Sequence, residues 1–300
     1  MRTSLLFAVI LCTASILNAQ NYVDIANLSY SITPQNNFEN SNQSTSIDEL
    51  EFQFTFPKVL DDRNTFISTL LLESNSLKID PTLDSKTTLA SLGLALGFNH
   101  KYSDRLAITY LIIPKIATDL QAMTGRGFQL GGLALATFKK NENFNWKFGL
   151  YANSEEFGPF LVPYAGFYYL STNKRFEAYI TTINGDINYM LTDKLNLGGD
   201  VNGLTSSYAL GDPFQSTENA YFVKNTTEFF AYLRYPVAKN LFIKAKAGYS
   251  ITRTYKVFEE NDQVDLGLSL FFIGDDRNQL NTPLDKGALF KLELLYRFPL

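Results

Sequence analysis

From Leu89 to Tyr102 the chain alternates almost without exception. Leu92, Leu94, Leu96, Phe98 and Tyr102 share one parity, and Ser91, Gly93, Ala95, Gly97, Asn99 and Lys101 share the other. Period two marks a strand, because successive side chains point to opposite faces of a sheet. The run is also long. Soluble strands are usually about 5–6 residues, whereas a tilted strand needs about 9–11 to cross a bilayer. One face is greasy and the other is small and polar, and similar segments recur down the chain. That is the pattern of a closed barrel in lipid, apolar outside and polar inside.

The first residues read as a secretory signal, 1–19. Arg2 supplies the positive region, Leu5 to Leu17 the apolar one, and Ala19 a cleavage site. The apolar run is too short to span a bilayer as a helix. The only cysteine, Cys12, lies inside it. Leu11 before it is too large for a lipoprotein signal, so the mature chain, 20–300, is exported yet carries no disulfide framework. Mean hydropathy is −0.08. This fits a barrel, which hides its membrane signal in alternation, and does not fit a bundle of membrane helices. With 25 Phe and 17 Tyr there is material for aromatic girdles. A net charge of −4 without a basic stripe gives no sign of nucleic-acid binding.

Strand candidates follow one another through one barrel domain. Leu28, Tyr30 and Ile32 mark the first apolar face, and Leu50, Phe52, Phe54 and Phe56 the second. Segments 66–73, 106–112, 128–138 and 146–152 continue the series. In 162–170 the apolar face reads Val162, Tyr164, Gly166, Tyr168 and Leu170. Segments 176–183 and 187–191 flank Asn184-Gly185, a hairpin signal. Segments 195–208, 226–235, 241–255, 264–273 and 288–298 complete the list, one more than an even antiparallel barrel allows. We therefore expect 12–14 strands, with either the Asn184-Gly185 segment a single bent strand or 264–273 lying outside the barrel. Turns divide into short ones (103–105, 192–194, 238–240) and longer loops (34–46, 74–88, 209–223, 274–286). Short periplasmic turns and long extracellular loops are a property of outer-membrane barrels. Pro114 and Pro163 fall within strands and predict bulges or rim positions.

In the last segment, Asp285, Gly287, Phe290 and Leu292 follow the polar–x–Gly–x–x–apolar–x–apolar pattern, extended by Leu294, Tyr296 and Phe298. Here the chain resembles single-chain bacterial outer-membrane β-barrels, in particular small uncharacterised families of them. The resemblance implies that Gly287, Phe290, Leu292, Leu294, Tyr296 and Phe298 form an insertion signal read by the barrel-assembly machinery. It also implies a place among the lipids of a Gram-negative outer membrane. Such chains usually end on an aromatic residue, whereas this one ends Phe298-Pro299-Leu300.

The only histidine, His100, shares the parity of Phe98 and Tyr102 and so faces lipid or the interface. It cannot serve as the base of a serine hydrolase inside the barrel. No metal or cofactor site is expected. Acidic loop residues (Glu259, Glu260, Asp262, Asp275, Asp276) lack the spacing of a calcium loop, and Thr124 to Gly127 reads as a loop tip. The inward parity instead carries charge: Glu49, Glu51, Glu228, Arg234, Lys244, Lys246, Lys291, Glu293 and Arg297. Lys244 and Lys246 share their face with Ser250 and Thr252. Closure of the last strand on the first would place Lys291 or Arg297 two strands from Glu49 and Glu51. Such charges either plug a narrow lumen as ion pairs or line a watery path. The expected function is non-enzymatic, a structural barrel or a small pore for polar solutes. The alternatives are an outer-membrane lipid-modifying enzyme or hydrolase, and a soluble secreted β-sandwich.

Overall fold

The computed structural model describes residues 22–299 apart from 122–125, 212, 213, 215, 216, 218 and 270. The expected signal segment, with Arg2, Cys12 and Ala19, lies outside the described residues. The first half of the fold comprises β1 (Tyr22–Asn37), β2 (Ser44–Val59), β3 (Asn64–Leu77), β4 (Thr87–Lys101), β5 (Leu106–Thr118), β6 (Phe128–Asn141), β7 (Phe144–Glu155) and β8 (Gly158–Leu170). It continues with β9 (Phe176–Thr181), β10 (Asn184–Met190), β11 (Asn196–Leu210), β12 (Ala220–Ala238) and β13 (Leu241–Glu259). A small hairpin, β14 (Leu266–Leu268) and β15 (Phe271–Ile273), precedes β16 (Gly287–Pro299).

Each strand from β1 to β12 pairs antiparallel with its successor, β16 pairs with both β13 and β1, and the ring closes. The barrel therefore has fourteen strands, β1–β13 plus β16. Segments 176–183 and 187–191 are two strands, not one bent strand. Segment 264–273 lies outside the ring as β14 and β15. The turn between β9 and β10 is Thr182-Ile183, so Asn184 and Gly185 begin β10 rather than form the turn. Thr181 Oγ1 accepts from the backbone N–H of Asn184 (3.1 Å), which fixes the turn two residues early.

The outer surface is apolar. Leu28, Leu50, Leu92, Leu94, Ile112, Leu130, Leu150, Leu233 and Leu292 are all exposed there. Near the short turns it becomes aromatic: Phe144, Trp146, Phe148, Phe167, Tyr169 and Phe176 touch edge to face or stacked. His100 sits in this zone, its ring 4.5 Å from that of Tyr102 and its Nδ1 2.7 Å from Asn64 Oδ1.

The structure departs from the alternation at four places, each for a physical reason. First, strands run into three of the expected loops. β1 and β2 leave only residues 38–43, and β12 and β13 reach 19 residues each. Above a bilayer neither face meets lipid, so the period fades while the ladder continues. Second, β8 shows the opposite face: Phe160, Val162 and Tyr168 are buried inside, while Pro163 and Tyr169 are exposed outside. Third, a bulge between Thr227 and Glu228 of β12 leaves Ile251 of β13 unpaired. Beyond a bulge every side chain changes face. Arg253, Tyr255 and Val257 thus turn inward, and Thr252 does not share the face of Lys244 and Lys246. Fourth, Pro114 keeps its partner Leu130 on β6, but pairing with β4 lapses at Leu94-Ala95.

At the long-loop end the barrel is shut. β11 leaves the wall and crosses to β5, bridging Ala209 to Thr118, and Asp119 N–H donates to Ala209 O (3.0 Å). Beneath the loops Leu77, Leu89, Ala117, Tyr208, Phe222 and Val257 form a core that water does not reach. Residues 274–286 lie over it. Asn281 Nδ2 donates to Ile79 O and Tyr255 O, and its Oδ1 accepts from Val257 N–H. Asp80 holds this covering segment, accepting from Thr82 and, at 2.9 Å, from Thr282 N–H.

Two predictions follow from the wall and its cover. Leu94→Arg on the lipid face should cost about 2–4 kcal/mol, read from Trp146 fluorescence during urea unfolding in vesicles. At Asp80, burial works against the charge, but hydrogen bonds from Thr82 and Thr282 outweigh it and hold the carboxyl below its ordinary 3.8. Its stabilising effect is therefore present above that value and lost as pH falls through the lowered one. Asp80→Asn should lower the thermal stability of the barrel by about 1–2 kcal/mol at neutral pH, and the difference from wild type should vanish in strong acid.

Candidate functional site: the barrel lumen

Inward residues of neighbouring strands create like-charge neighbours that could not persist alone. Glu51 lies across from Glu73, Asp186 from Asp200, and Lys246 from Lys291. Like charges directly opposite destabilise a sheet. The closed ring brings each pair its counter-ions from other strands, and the result is a ladder of ion pairs down the β12–β13–β16–β1–β2 wall.

The rung nearest the apolar cover centres on Lys224, buried between Glu49 (2.6 Å) and Glu73 (3.1 Å), with Asn75 Oδ1 also accepting from it. Ser31 Oγ donates to Glu49. Lys291 is held by Glu51 at 2.7 Å, and Ser29 donates to the same carboxylate. The central rung is a cluster of two lysines and three carboxylates. Lys246 bridges Asp200 and Glu293, each at 2.6 Å, and Lys244 meets Asp186 at 2.9 Å. Lys244 Nζ also stands 4.1 Å from the centroid of the Tyr232 ring. Tyr232 donates to Asp186 and crosses directly over Gly198, where a Cβ would meet the phenol at 2.2 Å. Glycine is thus required on β11 beneath that ring.

Near the short turns Arg297 grips Asp24 with two nitrogens (2.7 and 3.1 Å) and stacks on Tyr22. Tyr22 and Tyr168 both donate to Glu177. Arg234 has an amide partner, Asn188 Oδ1 at 3.1 Å, and no carboxylate partner among the described residues. Among the described residues Glu228 has neither a hydrogen bond nor an ion pair.

A chamber of about 640 Å³ occupies the middle of the barrel below the apolar cover. Asn27, Ser29, Glu51, Gln53 and Glu73 line one side, and Ile113, Leu133, Tyr151, Phe160 and Val162 the other. A second cavity of about 330 Å³ opens between Tyr22, Glu177, Tyr179 and Arg234.

The sequence of the family described as domain of unknown function DUF6268 matches residues 15–272. The chain belongs to that family. No curated protein matches it. Among solved structures it is similar to a NanC porin, at 7% identity over 90% of this chain and 98% of that one, with a TM-score of 0.36. It is also similar to the Pseudomonas putida toluene transporter TodX, at 10% identity over 92% and 89% of the two chains (TM-score 0.37). A third is Pseudomonas putida OprB, at 8% identity over 93% and 94% (TM-score 0.36).

In this DUF6268 barrel all nine charges expected in the lumen face it, and the last strand, closed on the first, reaches across it to the second as Lys291–Glu51. The partners that complete the network were not singled out in the sequence: Asp24, Glu73, Asp186, Asp200 and Lys224. Asp200 shares the parity of Asn196 and Asn202, so its inward face was readable. Lys224 precedes the start of the expected strand, and Asp186 adjoined the expected turn. The segment ending the chain presents Phe290, Leu292, Leu294, Tyr296 and Phe298 outward. Gly287 leaves room for Asn36 and Arg253, to which a Cβ would approach within 2.7 and 3.0 Å. Arg126, in the expected loop tip, reaches the carbonyls of Leu210 and Ala220 and the carboxylate of Glu260. Thr124 and Gly125 lie outside the described residues. In the acidic loops, Asp275 pairs with Arg277 and Asp262 accepts from Asn278 N–H.

Removing one partner of a buried ion pair leaves an uncompensated charge, at a cost of about 3–5 kcal/mol. Lys246→Met should lose stability toward the lower end of that scale, because Asp200 and Glu293 lose their 2.6 Å partner and keep only Lys244, at 3.9 and 3.8 Å. Glu228→Gln, at a carboxyl with no ion-pair partner among the described residues, should lose far less, because no ion pair is broken. Paired urea titrations in the same vesicles check both.

Proposed function

We propose that this protein is a non-enzymatic outer-membrane barrel whose lumen is closed at rest, and that it opens only when the seal at the long-loop end moves. In this reading the chain is exported by its signal, and the barrel-assembly machinery inserts it through its last strand. The short turns then lie in the periplasm and the long loops outside. The supporting observation is the way the long-loop end is closed. Tyr208, Leu210 and Phe222 fill the lumen below the β11–β5 bridge, with Tyr208 fully buried. A constitutive pore for polar solutes needs a continuous watery path. The lumen charges, paired within 3.2 Å on most rungs, favour the plugging role over an open selectivity path.

A catalytic role lacks its usual parts. The closest serine–carboxylate contact in the wall is Ser207 Oγ to Glu155 at 2.6 Å, and Glu155 is already held by Lys115. His100 stands on the outer face at the other end of the barrel.

The test is conductance across a planar bilayer. The purified barrel should give no steady open-channel current. Replacing Tyr208 and Phe222 together by serine should produce one, provided the variant still shows the gel shift on boiling that marks a folded barrel. Constant current from the wild-type protein would refute the closed resting state.

A further inference from the structure

We propose that the central chamber binds an uncharged, single-chain amphiphile, which enters sideways through the barrel wall between β8 and β11. The route rests on the closed-lumen reading, and the binding does not.

The first observation is the division of the chamber. Ile113, Leu133, Tyr151, Phe160, Val162 and Ile183 make one side apolar, although these are inward positions that a water-filled barrel makes polar. The opposite side offers Ser29, Gln53 and Ser91 beside the carboxylates. At about 640 Å³ the space falls within the range of small-molecule sites, which are mostly apolar with a few placed polar groups. A molecule with an apolar tail and a polar head matches both sides.

The second observation is charge balance. Each carboxylate on the lining already has its lysine: Glu51 has Lys291, Glu73 has Lys224 and Glu155 has Lys115. An anionic head would meet these carboxylates without a free cation. A cationic head would have to displace a buried lysine. A hydroxylated head needs only hydrogen bonds from the serines and the amide.

The third observation is the wall itself. β9 and β10 have 6 and 7 residues, against 13 and 15 in β8 and β11. Above the Thr182-Ile183 turn, β8 and β11 therefore have no strand between them. Ser269 N–H donates to Leu161 O and Thr182 N–H to Ala165 O, so the odd positions of β8 point their backbone at this gap. Pro159 and Pro163 are two of those positions, and neither has an N–H to leave unpaired. The β14–β15 hairpin covers the gap. It has two paired positions on β8, Gly267 with Phe160 and Leu268 with Leu161. Toward β11 the contact recorded among the described residues is one hydrogen bond, Thr205 Oγ1 to Ser269 O at 3.2 Å. Phe271 and Ile273 on the hairpin are exposed, whereas Leu204, across from Thr226, faces the chamber. The chamber lining reaches this place through Ile183, Leu204, Thr205 and Ser269. An apolar tail arriving from lipid meets one hydrogen bond and the apolar packing of Phe272 on Phe157 here, whereas the ends of the barrel present an apolar seal and layers of buried charge.

The experiment uses the full-length barrel in lipid nanodiscs and 1-lauroylglycerol carrying a diazirine on its tail. After irradiation, the label should map to peptides containing Leu133, Tyr151 or Val162. Unlabelled 1-lauroylglycerol should compete at least about tenfold better than laurate or dodecyltrimethylammonium. The Thr205→Cys, Ser269→Cys variant then ties the hairpin to β11. Oxidation should slow chamber labelling about tenfold, and reductant should restore it. If the pair does not oxidise, a short bismaleimide replaces the bridge. Label confined to outward residues such as Leu130 and Leu150, or equal competition by the charged homologues, would overturn the binding site. Chamber labelling at the same rate with the hairpin tied would overturn the lateral route. A barrel that stays closed in the bilayer yet takes no label fails this proposal alone, whereas steady wild-type current fails the closed-lumen reading and the lateral route with it, and leaves the binding site to the labelling.

Discussion

In the interior of a bilayer, a backbone N–H or C=O without a partner has nowhere to turn. The strand ladder must therefore run unbroken around the barrel, and the rest of this structure is arranged around that condition. The β1–β16 seam, from Val23–Phe298 to Ile32–Phe290, meets it with one bulge, at Ile25, and the lapse between β4 and β5 falls beside Pro114, which has no N–H to leave unpaired. Between β8 and β11 the condition is met differently. There the short β9–β10 hairpin leaves upper edges open, and prolines together with a borrowed hairpin take the place of strands.

Closing the ring also decides what the lumen can contain. Fourteen strands enclose a space that side chains must fill or water must occupy. On the β12–β13–β16–β1–β2 wall it is filled by charge. Lys246 and Lys291 face each other across a strand pair and persist because Glu51, Asp200 and Glu293 stand within 2.7 Å of one or the other. A network of this kind is costly to break and weakly favourable to make. Its effect is better described as fixing which strands face which than as adding stability. On the β5–β8 wall the filling is apolar, and there the chamber remains.

This division explains which parts of the fold could be read in the sequence. Alternation reports a strand standing between two different solvents. β4, with Leu92, Leu94 and Leu96 in lipid and Ser91, Gly93 and Ala95 in the lumen, is such a strand, and so are β2 and β16. In β8, Phe160, Leu161, Val162 and Pro163 have apolar surroundings on both sides, and the face expected from Val162, Tyr164 and Tyr168 is the opposite of the one they take. In upper β12, Tyr221 and Val223 pack under loops while Phe222 enters the seal, so both parities are buried. The expected lumen charges were found because charge on an inward face is conspicuous. Several of their counter-ions were not, because contacts such as Lys224–Glu73 join strands 151 positions apart in the chain. The bulge at Ile251 could not be foreseen either: it shifts the face of Arg253, Tyr255 and Val257 without altering the local composition.

The sealed end and the gapped wall are two consequences of one departure. β11 keeps its place beside β10 only as far as Asn202. Beyond it, the strand leans across the lumen until Ala209 reaches Thr118 on β5. Strands β11, β12, β13, β16 and β1 through β5 then form a narrower ring of their own, small enough for Leu89, Tyr208 and Val257 to fill. The same lean takes β11 away from β8, so β6, β7 and β8 are left outside that narrower ring with a bare edge. The hairpin β14–β15 must be placed there to cover it, packing Gly267 against Phe160 where a Cβ would come within 2.8 Å. Any movement that straightened β11 would therefore do two things together: withdraw Tyr208 from the seal and press on the hairpin in the wall. The closed end and the side opening are mechanically one element.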